Sequence, residues 1–190
     1  MKAASPLLIA TLAAAIVSPA LTAKTDNSNY RHGHDRDGET IVIDVACDGR
    51  TYAPIGLDPD TGVEGRGSTF IVNGRIFPGG TIPVGDGFDL DNTPGTLGKW
   101  VCRGMWNFSL EEVLNGATPH VSTTQHYLFD AVNSLMSEGP EGSHEAINRV
   151  VLGGTGRFRG FVGEVQEQFL GYNITGLENF RFTFKIRKAR

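Results

Sequence analysis

The chain has 190 residues, 39% of them hydrophobic, which suits one domain built around a single core. A net charge of −4 and a pI near 5.7 exclude the basic footprint that nucleic-acid binding requires. Gly numbers 25 and Pro 9, a balance that favours many strands joined by turns over long helices.

Lys2 precedes an apolar stretch over residues 7–17, of signal-peptide length and too short to span a bilayer. Ser18-Pro19-Ala20 offers small residues for cleavage after Ala20, with cleavage after Ala23 as the alternative. The expectation is a secreted or periplasmic protein, and no later segment is apolar enough to span a membrane. Residues 24–39 are polar and charged and read as a disordered leader. Within it, His32, His34 and Asp35 carry ligand-type side chains, but a solvated charge run is the simpler account. No metal or other cofactor is expected.

Residues 40–188 read as one all-β domain. Alternation places Ile41, Ile43, Val45 and Cys47 on one face of residues 41–47. Residues 68–77 form a second run with mixed faces. The acidic, Gly-rich stretch Asp86-Gly87-Phe88-Asp89-Leu90-Asp91-Asn92 lacks the terminal Glu of a calcium loop and reads as turn chemistry, or as a loop over a barrel mouth. Residues 80–97 have room for a further strand. Residues 99–108 align Trp100, Cys102, Trp106 and Phe108; residues 120–130 align Val121, Thr123, Gln125, Tyr127 and Phe129. Residues 146–152 are apolar on both faces. Asn107-Phe108-Ser109 and Asn173-Ile174-Thr175 match the glycosylation pattern, which matters only in a eukaryotic secretory route.

Gly153, Gly154, Gly156, Gly160 and Gly163 punctuate the next stretch. No Lys-Ser or Lys-Thr follows and no helical period begins here, so a phosphate loop is excluded. A tight turn at 153–156, then a strand with Gly160 and Gly163 inside it, is the better reading. That strand, residues 158–170, aligns Phe161, Val165, Glu167 and Phe169. Residues 179–187 alternate most cleanly, with Phe180, Phe182, Phe184 and Ile186 opposite Arg181, Thr183, Lys185 and Arg187. The fold expected is a single closed antiparallel β-barrel of about eight strands, which removes exposed edges and has room for one small ligand.

Polar residues on the inward faces are the site candidates. Glu167 is the first catalytic candidate, because a carboxyl facing an apolar interior is driven toward its protonated form and can act as an acid or base. The competing reading puts Glu167 at a strand end, or outward after a glycine-linked bulge. Tyr127 and Cys102 are assisting catalytic candidates. Gln125 is a candidate for orienting a ligand, and Trp100, Trp106, Phe180, Phe182 and Phe184 supply an apolar wall or simply fill the core. Cys47 and Cys102 are the only cysteines, and export favours a disulfide between them; a free Cys102 in a pocket is the alternative.

Gly153-Gly154-Thr155-Gly156-Arg157-Phe158-Arg159-Gly160 followed by Gly163-Glu164-Val165 resembles the signature of the allene oxide cyclase and dirigent barrels. Residues 67–82 and 95–104 are similar to further blocks of a bacterial branch, so the resemblance covers residues 40–187. It implies an apolar cavity that shapes a reactive small molecule, with Cys102 where plant cyclases carry a cysteine. Val162 stands where the dirigent pattern has an Arg, and the Glu and Asn pair of the plant cyclases is not evident in residues 41–48. The glycine spacing is closer to the cyclases.

Two functions follow. In one, an exported barrel binds a small apolar organic molecule and steers its cyclisation or coupling without a cofactor. In the other, the same barrel is a non-enzymatic carrier or interaction module. Association into a homo-oligomer through the outer faces is an expectation of the resemblance alone.

Overall fold

The computed structural model describes residues 38–142 and 145–189. The expected signal peptide and the His32, His34 and Asp35 group lie outside these residues, as does nearly all of the expected leader. Nine strands form: β1 (Glu39–Cys47), β2 (Ala53–Ile55), β3 (Thr69–Pro78), β4 (Gly98–Trp106), β5 (Val121–Leu128), β6 (Ser134–Glu141), β7 (Ile147–Thr155), β8 (Phe161–Tyr172) and β9 (Glu178–Lys188). A five-residue helix, α1 (Leu110–Leu114), sits between β4 and β5, with Ser109 and Glu112 forming a capping box.

The strands run antiparallel in the order β1-β9-β8-β7-β6-β5-β4-β3-β2, and β1 also pairs with β3. The second pairing closes an eight-stranded barrel and leaves β2 as a short extra strand on β3, as expected for an antiparallel all-β chain. Inward faces carry Ile43, Val45, Val72, Ile76, Trp100, Tyr127, Leu135, Val151, Val165, Phe182 and Phe184, all buried in one core.

The ends of the barrel differ. The register Trp106↔Val121↔Glu141 marks an upper end, shared with the C-terminus of β1 and the N-terminus of β9. At the lower end a 3-10 turn, Gly156–Phe158, folds across, and the fully buried Phe158 ring packs on Phe129 and Phe161. Gly154 permits this closure, since a Cβ there would lie 2.3 Å from the Ser134 carbonyl oxygen and 2.7 Å from Phe158 Cβ.

Four expectations are corrected. Residues 80–97 hold no strand. They form a strap outside the wall, where Ile82, Leu90 and Phe88 pack on Ala46, Phe77 and Leu170 rather than over a mouth. Its anchor is the buried Asp44, which accepts hydrogen bonds from Arg181 and from the Gly80 and Ile82 amides. The eighth barrel strand is β6, disguised by Gly139 and Pro140, which read as turn residues. The turn lies at 156–160, because β7 runs through Gly153 and Gly154 to Thr155. Finally, β7 is not apolar on both faces: Arg149 and Val151 point in, while Val150 and Leu152 are exposed.

Candidate functional site

Registry settles the orientation of Glu167. Pairing of β8 with β9 is continuous from Phe161↔Lys188 to Phe169↔Phe180 and slips only afterwards, so Glu167 stays on the inward face opposite Phe182. Its side chain is 3% exposed, inside an apolar core.

Four strands converge on it. From β5, Gln125 Nε2 donates to Glu167 Oε2 at 3.1 Å and to Glu141 Oε1 at 3.4 Å. From β6, Glu141 shares the Gln125 amide with Glu167. From β7, Arg149 Nη1 lies 3.6 Å from Glu167 Oε2 and 3.9 Å from Glu141 Oε2. From β4, the Cys102 thiol faces Glu141 Oε2 at 3.9 Å. Burial, then the adjacent Glu141 carboxylate, pushes Glu167 well above the ordinary carboxylate range; the Arg149 charge and the Gln125 amide oppose this.

Arg149 is held by neutral groups. Its Nε donates to Ser137 Oγ (3.5 Å), Nη1 to the Gly139 (3.4 Å) and Pro140 (3.0 Å) carbonyls, and Nη2 to Thr123 O (2.9 Å) and Oγ1 (2.7 Å). These use all five guanidinium donors. The carboxylates therefore feel Arg149 as a fixed charge rather than as a hydrogen-bond partner.

The other sequence candidates divide into two groups. Gln125, Tyr127 and Cys102 join the cluster. Tyr127 is fully buried, donates to Gln125 Oε1 at 2.5 Å and meets Ser137 Oγ at 3.2 Å; burial pushes its phenol well up. Burial likewise raises the Cys102 thiol, with Glu141 adding to the effect. Phe182 and Phe184 stand edge-on to Tyr127 as apolar packing. Phe180 is near the upper end, packed against Phe169. Trp106 is there too, beside Tyr52, which donates to Glu64. Trp100 is 1% exposed, and its indole Nε1 has no acceptor.

Glu141 and Arg149 were missing from the sequence candidates. The signal for Arg149 was its two-residue spacing from the inward Val151. Glu141 had no such signal, because it ends a strand that Gly139 and Pro140 concealed.

The expected Cys47–Cys102 disulfide is corrected: both thiols are free and buried. Strand β3 lies between β1 and β4, with Cys47 opposite Gly74 and Cys102 opposite Val72. Two strand spacings of roughly 4.8 Å plus this offset exceed the ~7 Å Cα separation a disulfide tolerates. Asn173, in one of the two glycosylation-pattern matches, is buried and donates to the Cys47 carbonyl and Asn179 Oδ1. No group of three or more His, Cys, Asp or Glu among the described residues is arranged to hold a metal ion. No helix among them is long and apolar enough to cross a membrane.

No protein-family model matches the chain. No curated protein matches it by sequence either. Among solved structures it is similar to a pyocyanin demethylase (TM-score 0.51, 15% identity, covering 78% of this chain and 100% of that one). It is also similar to two pterocarpan synthase dirigent proteins. For GePTS1 the TM-score is 0.56 at 14% identity, covering 84% of this chain and 91% of that one. For PsPTS1 it is 0.57 at 14% identity, covering 83% and 99%. At these identities the likeness establishes the fold: a dirigent-like barrel.

Proposed function

We propose that this barrel binds a small, mostly apolar organic molecule beside the Glu141–Glu167 pair and steers its cyclisation or coupling without a cofactor. One observation carries the reading: two carboxyl groups, Glu167 and Glu141, share the Gln125 amide inside an apolar barrel, where burial and the second carboxylate push Glu167 well above the ordinary carboxylate range. Such a pair gives one site both a proton donor and a proton acceptor. In a ring closure, Glu167 donates its proton to an oxygen of the bound molecule, Glu141 collects the proton the product gives up, and that proton passes back to Glu167 before the next turnover. The net proton count is then zero. Trp100, a buried N–H donor without an acceptor, favours a ligand that carries such an oxygen. Confinement by Trp106, Phe180 and Phe169 supplies orientation.

The similar barrels are by name a demethylase of pyocyanin and synthases of pterocarpan, and these names support a small-molecule role. Between the two activities of the resembled family, Val162 in the place of an Arg and the glycine spacing favour an allene oxide cyclase-like cyclisation. Tyr127 and Cys102 are supports rather than proton donors in this reading. Export, on the strength of residues 2–20, belongs to the same proposal.

The test is Glu167→Gln, assayed with fatty-acid-derived and phenolic probes by mass spectrometry of the products. The variant should bind the converted probe as tightly as the native chain and turn it over about 10²-fold more slowly. Unchanged turnover removes Glu167 from the mechanism. Binding without turnover in the native chain makes the protein a carrier.

A further inference from the structure

The cluster contains a chain of hydrogen bonds that runs from Arg149 through Ser137, Tyr127 and Gln125 to the two acids. Arg149 can only donate, so Ser137 Oγ must accept from Arg149 Nε at 3.5 Å. Ser137 Oγ also meets Tyr127 Oη at 3.2 Å, a contact in which either hydroxyl can donate. Tyr127 in turn donates to Gln125 Oε1 at 2.5 Å. With its oxygen occupied, Gln125 can present only its NH2 group to the acids, one hydrogen toward Glu167 Oε2 and one toward Glu141 Oε1. Serine, tyrosine and glutamine could each reverse their roles; arginine cannot.

We infer that Tyr127, with Ser137 behind it, is a positioning residue that locks the Gln125 amide with its NH2 toward Glu141 and Glu167, and so favours the charged form at both contacts. The inference rests on the acid–base reading of the pair given above, and it names a control that the reading does not need. A locked NH2 favours a charged carboxylate at both contacts. A flipped amide would present its oxygen instead and favour the protonated forms. The groups facing Glu167 are Gln125 and Tyr127 from β5, Glu141 from β6, Arg149 from β7 and Phe182 from β9; Cys102 from β4 and Cys47 from β1 face the same cluster.

The experiment is a carboxyl titration by carbon NMR on the full chain labelled at glutamate, with no substrate present. Gln125→Met removes the amide and should raise the midpoint of Glu167 by about one unit or more. Tyr127→Phe keeps the ring packing and removes only the donor, so it should raise the midpoint in the same direction. A Tyr127→Phe midpoint equal to the native one, beside a shifted Gln125→Met, overturns the lock. No shift in either variant overturns it as well. Should Tyr127→Phe fail to fold, the native chain decides. The Gln125 side-chain NH2 resonances should be protected from exchange and move with the Glu167 titration, and freely exchanging resonances overturn the lock. Because none of these readouts uses turnover, they separate failure of the lock from failure of the proposed chemistry.

Discussion

Arg149 Nη1 lies 3.6 Å from Glu167 Oε2, yet each of its donors is spent on a neutral acceptor. The pair is a charge contact across a buried gap and not a hydrogen-bonded salt bridge. Its value lies in offsetting the Glu141 carboxylate, and that makes Arg149 costly to remove.

Arg149→Met should destabilise the fold by about 3–5 kcal/mol at neutral pH in urea denaturation, since it strands the acids without their counter-charge and leaves the Thr123, Gly139 and Pro140 acceptors without donors. Arg149→Lys should not restore the loss, because a point ammonium cannot serve acceptors spread around a planar fork. Adding Glu167→Gln to Arg149→Met should recover part of it, a coupling a double-mutant cycle measures. Strict additivity would show that the two side chains do not interact.

Glu167 ties stability to pH, and the sign is unusual for a carboxylate. Its folded value is raised, so the native state keeps a proton that the unfolded chain sheds above about pH 4.3. Its contribution is greatest below that pH. Stability should then fall as pH rises toward the folded value, by at most ~1.4 kcal/mol per pH unit. Melting curves of the native chain and Glu167→Gln should converge near pH 4 and diverge above it, with the variant the more stable. Parallel curves would contradict a protonated Glu167.

Much of this site was legible in the chain, for a simple reason. In β5, β8 and β9 a two-residue period runs past Gln125, Tyr127, Glu167 and the Phe180–Phe182–Phe184 row, so parity offered them as inward, while a bulge at Gly160 or Gly163 left an outward Glu167 as the competing reading. Parity failed where a strand broke its own pattern. Strand β7 exposes Val150 and Leu152 and shifts register against β6 between Met136 and Ser137, which hid the inward Arg149. The disulfide failed for another reason. Compartment arguments say whether a bridge would persist, but only strand order shows that β3 separates the two sulfurs. The strap at 80–97 was illegible because its partners, Ala46 and Leu170, lie on the outer wall, where no alternation marks a second core.

The two cysteines should behave as buried thiols. Burial raises both above the ordinary thiol range and denies reagents access. An alkylating reagent at pH 8 should leave the native chain unmodified and add two adducts after denaturation without reductant. The melting temperature should not change with reductant. A denatured chain that takes no adduct until it is reduced would restore the disulfide.

The central claim is that the barrel holds a small molecule beside Glu167. Native mass spectrometry of the protein purified from its own host compartment tests this most directly. The expected result is a bound small organic molecule that is released on denaturation, or, from an apo sample, one-to-one adducts with a lipid-like or phenolic probe. A clean apo mass, with no such probe bound at high concentration, would contradict the claim and mark the barrel as a filled structural or interaction module.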